Sequence, residues 1–192
     1  MKDNVLVFAS NNAKKLKEIR PVLSEYQIKS LAEINCFDDI PETANTFQGN
    51  AFLKAKHVWD NYDLPCFADD SGLVVPELNN EPGVYSARYA GSQKNDNDNM
   101  DLLLKNLSSS KDRSAYFITV ICYYDGKNTH FFEGRVNGKI TLEKKGQDGF
   151  GYDPIFIPEG FDRTFAEMNM EEKNALSHRA KAVKLLRDFL AE

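Results

Sequence analysis

Cys66-Phe67-Ala68-Asp69-Asp70-Ser71-Gly72-Leu73-Val74-Val75 is the stretch on which the reading of this 192-residue chain turns. It begins apolar, breaks into two carboxylates, a hydroxyl and a glycine, and then resumes apolar. An apolar strand that ends in paired acids puts hard oxygen donors at a strand end. The loops of an α/β sheet carry ligands there, and such donors suit magnesium. Asp-Asp-Ser-Gly is also ordinary turn chemistry, because Asp and Ser bond their own backbone and Gly supplies positive φ. The stretch alone leaves both readings open.

Towards the N-terminus, Val5 to Ala9 reads as a short strand buried on both faces. It runs into Ser10-Asn11-Asn12-Ala13-Lys14-Lys15 and then a helical pattern of Leu16, Ile19, Val22 and Leu23. A strand, a polar loop and a helix start together present free N–H groups to an anion. Lys14 and Lys15 in the first turn oppose the helix dipole, which points to an anion as their partner, although solvated lysines fit as well. A second helix is predicted from Phe47 to about Tyr62, with Phe47, Ala51, Ala55, Val58, Trp59 and Tyr62 on its buried stripe. Asn50, Lys54 and His57 share another face. Lys54 reads as a phosphate contact or an unremarkable helix lysine, and His57 as a structural or surface histidine.

Towards the C-terminus, Leu73 to Val75 continues the sheet and Asn79 to Gly83 is a loop. Arg88 is a candidate phosphate contact on a mobile segment. An exposed loop is expected over 91–99, then a short helix from Met100 to Leu107. Tyr116 to Tyr124 reads as a strand that turns at Asp125-Gly126 and returns over Thr129 to Val136, with Gly138 to Thr141 as a third segment. These look like antiparallel members of a sheet in a lobe separate from the N-terminal strands. Three glycines interleaved with Phe150, Tyr152 and Asp153 suit a planar base or sugar, or else a loop whose aromatics pack inward. Ser177 is the expected N-cap of a last helix buried along Val183, Leu186 and Leu190. That leaves His178 and Arg179 in its first turn, again against the dipole.

Composition narrows the function classes. A hydrophobic fraction of 42%, with 13 Phe and 8 Tyr, describes a globular chain that can bury a core. The net charge of −5 argues against a broad nucleic-acid surface, so no nucleic-acid partner is expected. Cys36, Cys66 and Cys122 lie far apart with no CxxC pair, which argues against disulfides and a structural zinc. Five apolar residues near the N-terminus are too few for a signal peptide or a membrane span, so a cytoplasmic protein with no membrane partner is expected. Cations for phosphates, acids for a metal and aromatics for a base fit nucleoside triphosphate chemistry, and the lack of a GxxxxGK[ST] loop excludes a P-loop enzyme.

Five motifs in order resemble the inosine triphosphate pyrophosphatase family: SNNAKK at Ser10 to Lys15, ADDSGL at Ala68 to Leu73, PGVYSARY at Pro82 to Tyr89, FGYDP at Phe150 to Pro154, and EKNALSHR at Glu172 to Arg179. The resemblance runs from about Val5 to Phe189. It implies an elongated mixed α/β fold, one domain of two lobes with a central substrate cleft, usually a homodimer. It also implies magnesium-dependent hydrolysis of ITP, dITP or XTP to the nucleoside monophosphate and pyrophosphate. By motif position Glu42 and Asp70 would hold Mg2+ with support from Asp69, and Asp70 would take the proton of the attacking water. Lys15, Lys54 and Lys173 would neutralise the triphosphate. Substrate contacts would come from Ser10, Asn11, Asn12, Ala13, Lys14, Ser71, Arg88, Phe150, Gly151, Tyr152 and Asp153. Phe150 would stack on the base while His178 and Arg179 read its 6-oxo edge. Two departures stand out. Asn11 replaces a glycine, with left-handed geometry as the expected accommodation, and Gln48-Gly49 replaces acids. A same-fold enzyme for pyrimidine or modified nucleotides, and a nucleotide-binding protein without catalysis, are the alternatives.

Overall fold

The structure is a computed structural model and describes residues 4–192. Strand β1 (Val5–Phe8) lies between β2 (Gln27–Lys29) and β3 (Cys66–Val75), parallel to both. Val7 and Phe8 pair with Cys66 and Phe67, so β3 runs on for eight residues after β1 has stopped. The mixed sheet has the order β2-β1-β3-β5-β6-β7, with the short β4 (Glu81–Pro82) antiparallel to β3. β5 spans Ser114–Tyr124, β6 Thr129–Ile140 and β7 Phe156–Pro158. The mixed α/β class expected from the sequence is the class found.

Helix starts follow side-chain capping. Asn12 accepts from Lys14 and Lys15 N–H to open α1 (Ala13–Ile19), and Thr46 accepts from Gly49 N–H to open α2 (Phe47–Tyr62). Asn95 opens α3 (Asp96–Asn106), and a capping box of Asn169 and Glu172 opens α4 (Met170–Leu176). The last helix, α5, covers His178–Leu190.

The chain divides into two compact units. The first comprises the described residues up to Asp70, Thr119–Gly134 and Arg179–Glu192. Its apolar clusters are Leu6, Phe8, Ile19, Leu23, Phe67, Val183 and Leu186, and Val7, Ala51, Ala55, Val58, Cys66 and Cys122. The second comprises Ser71–Ile118 and Arg135–His178, around Leu73, Leu103, Phe117, Tyr152, Phe156 and Phe165. β3, β5 and β6 each contribute residues to both.

Several expectations are corrected. Asp69 and Asp70 do not end a strand, because β3 is extended through all ten residues and both acids are buried. The residues from Asp96 to Asn99 are helical rather than loop, since the Asn95 cap starts α3 four residues early. Gly138 to Ile140 belongs to β6 instead of a third segment, and β5 and β6 join the same sheet as the N-terminal strands. Arg88 lies in a 3-10 turn, Gly83–Arg88. Asn11 is not among the residues with positive φ, because the loop uses its side chain instead: the amide oxygen accepts from Ala32 N–H at 2.8 Å.

The turn between β5 and β6 generates a stability prediction. Asp125 Oδ1 accepts from the N–H groups of Lys127 (3.0 Å) and Asn128 (2.7 Å), and Gly126 holds φ +84° with its Cα against the Trp59 indole. A methyl group there meets both a left-handed backbone and the ring, so Gly126→Ala should cost about 2–3 kcal/mol. Thermal unfolding should show Tm lower by about 5–10 °C; an unchanged Tm contradicts this packing.

Candidate active site

Three cation-bearing segments of the first unit converge on the acids of β3. β1 ends early and α1 turns back beside it, so Lys15 Nζ reaches Asp69 Oδ1 at 2.9 Å. At the start of α5, Arg179 Nε donates to Asp69 Oδ2 at 3.2 Å, and its NH1 donates to Glu18 Oε2 of α1. All four side chains are buried or nearly so. Burial by itself would raise the Asp69 carboxyl, but Lys15, Arg179 and Lys54 outweigh it and hold the group well below the usual carboxylate range. Burial lowers the Lys15 ammonium, whereas the carboxylates facing Arg179 and Lys54 overcome desolvation and raise both cations.

Asp70 has the opposite environment. Burial, reinforced by the charge of Glu42 and opposed by Lys54, pushes its carboxyl up to about 6. Asn50 orients it: the amide nitrogen donates to Asp70 Oδ2 at 3.0 Å while the amide oxygen accepts from Ala44 N–H at 2.9 Å. One turn along α2, Lys54 Nζ pairs with Glu42 Oε1 at 2.6 Å. Adjacent carboxylates on one strand are thereby separated, Asp69 a committed anion and Asp70 a group that exchanges its proton near neutrality.

The second unit assembles the aromatic part. Lys173 Nζ donates to Asp153 Oδ2 at 2.7 Å, both buried, and lies 4.9 Å from the centre of the Phe150 ring. Asp153 Oδ2 also accepts from Phe150 N–H at 2.8 Å, so a single carboxylate fixes the loop and its aromatic residue. Gly151 N–H donates to Asp96 at 2.9 Å. Tyr152 packs in the core and its hydroxyl donates to the Ser86 carbonyl at 2.8 Å, which bears out the inward-packing alternative for that ring. His178 is buried with its ring stacked on Phe117 at 4.7 Å, and the Arg88 guanidinium lies over Tyr85 at 5.1 Å.

Of the residues singled out in the sequence, Lys15, Asp69 and Arg179 form one network, Glu42 and Lys54 pair beside Asp70, and Phe150, Asp153 and Lys173 form a third group. Ser10 supports the first loop, accepting from Asn12 N–H at 3.1 Å, and the side chains of Ala13 and Lys14 are exposed. One contributor escaped the sequence reading, and another was seen without its role. Glu18, 3% exposed, is an acid on the inner side of a short helix, and its only sequence signal is its position one turn after Lys15. Asn50 was visible on the polar face of α2, but its bridging role needed the fold.

The donors near Asp70 suit a hard cation. Glu42 and Asp70 offer carboxylate oxygens without nitrogen or sulfur, and a cation bound there would favour the charged form of Asp70 that burial disfavours. In chelator, Asp70 therefore lowers stability at neutral pH. A raised carboxyl favours folding only while protonated, so the native state loses stability as pH climbs from about 4 through about 6. Asp70→Asn should be more stable than the parent by about 2 kcal/mol at pH 7.5, with the gap closing below pH 4. Denaturant unfolding at the two pH values checks this, and equal stability at pH 7.5 refutes it.

A model described as Ham1 family matches residues 6–189. A dITP/XTP pyrophosphatase of Flavobacterium johnsoniae is 57% identical over 186 residues, covering 96% of this chain and 97% of that protein. One of Porphyromonas gingivalis is 56% identical over 187 residues, covering 96% of each. The Ham1 protein structure from Staphylococcus aureus superposes with a TM-score of 0.90 at 41% identity, covering 97% of this chain and 98% of that one.

Proposed function

The chain belongs to the Ham1 family, and from that premise we propose that it hydrolyses the non-canonical purine triphosphates ITP, dITP and XTP to the monophosphate and pyrophosphate. The observation that carries this reading is the paired carboxylates of β3 held in opposite charge states, one fixed by Lys15 and Arg179, the other raised to about 6 beside Glu42.

Water adds across the α–β anhydride and its proton passes to Asp70, whose carboxyl lies near the operating pH, where a general base works best. Asn50 fixes the rotamer that receives the proton. Lys15 and Lys54 neutralise phosphate charge, and Asp69 keeps Lys15 in place. Ser10, Asn11, Asn12, Ala13 and Lys14 line the loop and helix start at which a phosphate accepts backbone N–H bonds. Glu42 and Asp70, with Asp69 behind them, would hold Mg2+. When bound, magnesium supplies positive charge at the phosphate oxygens and acidifies water.

For the second unit we assign Phe150 as the stacking surface for the base, with Gly151 and Tyr152 shaping its loop and Lys173, Arg88 and Ser71 as phosphate or sugar contacts. Lys173 and Asp153 hold the ring in place. His178 and Arg179 read the 6-oxo edge, where adenine presents a donor in place of an acceptor. We treat both units as one catalytic domain, acting as a cytoplasmic homodimer without nucleic acid. The family match over residues 6–189 supports the single domain, and among the described residues no helix is long and apolar enough to cross a membrane.

Pyrophosphate release from ITP, XTP, dITP, GTP, ATP and dUTP, with and without magnesium, tests the reading. Turnover should need the metal and favour ITP, dITP and XTP, and Asp70→Asn should slow it about 10²–10⁴-fold while nucleotide still binds. Orthophosphate as first product, or preference for dUTP or ATP, would reject it. Arg179→Lys keeps a charge for Asp69 and Glu18 but loses the planar donor fork. It should lower the ITP-to-ATP ratio of kcat/KM at least about tenfold, and an unchanged ratio would remove Arg179 from base recognition.

A further inference from the structure

Away from the acids of β3, three metal-binding side chains of the first unit meet. Cys36 Sγ, a carboxylate oxygen of Asp38 and a ring nitrogen of His57 all lie within 4.8 Å of one another. His57 Nε2 is 2.9 Å from Asp38 Oδ2. Donors in a tetrahedral zinc shell stand about 3.3–3.6 Å apart, given bonds of ~2.0–2.3 Å, so small side-chain movements suffice to close the triangle. The three come from different local structures. Cys36 is buried behind a left-handed Asn35, Asp38 lies exposed on the following segment, and His57 projects from α2. An ion would enter from the Asp38 side, which faces water.

We propose that Cys36, Asp38 and His57 form a binding site for a thiophilic divalent cation of the zinc class, separate from the oxygen-only magnesium site. The donor set selects the ion: thiolate and imidazole favour Zn2+ and Co2+, whereas Mg2+ takes oxygen ligands. Three protein ligands leave one tetrahedral position for water. Binding releases the Cys36 thiol proton to solvent, and the Tyr62 hydroxyl donates to the carbonyl of the adjacent Asn35 at 3.5 Å, bracing the turn that presents the sulfur. Cys66 and Cys122 do not compete, because burial pushes both thiols up to about 12.

The site joins two elements that carry residues of the proposed catalytic machinery. Cys36 and Asp38 begin the segment that carries Glu42 and Ala44, and His57 follows Lys54 by three residues on the helix that also carries Asn50. A bound ion clamps that segment to α2 and holds Glu42 where Lys54 meets it.

The test is a Co2+ titration of the full chain in excess Mg2+, which keeps the carboxylate site filled. The expected result is a sulfur-to-cobalt charge-transfer band that saturates at one ion per chain and is displaced by Zn2+. The band should be lost in Cys36→Ala and in His57→Ala, with Co2+ affinity at least about tenfold weaker in Asp38→Asn. Saturating Zn2+ should raise the parent's Tm by about 2–4 °C and leave that of His57→Ala unmoved. His57 is on a helix surface and outside the proposed catalytic set, so His57→Ala should keep magnesium-supported turnover. No charge-transfer band, an equal band in Cys36→Ala, or a band unaffected by His57→Ala would each overturn the proposal.

Discussion

Asp69, a carboxylate almost without access to water, is held by Lys15 at 2.9 Å and Arg179 at 3.2 Å, and three segments remote in sequence depend on that contact. A buried ion repays its desolvation only when its partners are close and its remaining lone pairs are satisfied. Here two cations share one acid and Glu18 takes the other side of Arg179, so four charges balance within one buried network. The network fixes the start of α1 and the start of α5 on β3. Removing any member strands its partner, which makes the arrangement a constraint on the fold as much as a part of the chemistry.

That constraint explains how neighbouring residues on one strand behave so differently. Successive side chains of a strand point to opposite faces, so Asp69 and Asp70 have different hydrogen-bond partners although both feel the charges of Lys15 and Lys54. Asp69 faces the two cations, while Asp70 faces Asn50 and the field of Glu42 and Lys54. Environment thus drives the proton affinities of two neighbouring acids in opposite directions within one short motif. The second unit repeats the economy with Asp153, whose single oxygen holds both Lys173 and the Phe150 backbone.

Much of this was legible in the residues. The bounds of α2 followed from its apolar stripe, and β1 and β5 followed from short β-branched and aromatic runs. The failures have physical causes. Asp-Asp-Ser-Gly satisfies turn preferences, yet β3 carries it straight because ladder pairing and the charge network override local propensity. Asn95 caps a helix whose first turn is too polar to show a periodic apolar face, so only the part of α3 from Met100 onward is legible and Asp96 to Asn99 resemble loop. Asn11 suggested a strained backbone, and only the proximity of Ala32 revealed a side chain used as a hydrogen-bond acceptor.

The sequence by itself determined the family, the mixed α/β class and the residue types for nucleotide hydrolysis, because these lie in contiguous motifs whose order and composition are local properties. Tertiary structure alone decided that the proton affinities of Asp69 and Asp70 are driven in opposite directions, that Glu18 belongs to the network, and that Cys36, Asp38 and His57 meet. Each of these rests on distances between residues up to 161 positions apart and on burial. Proton affinity is set by desolvation and neighbouring charge, and neither exists until the chain has folded.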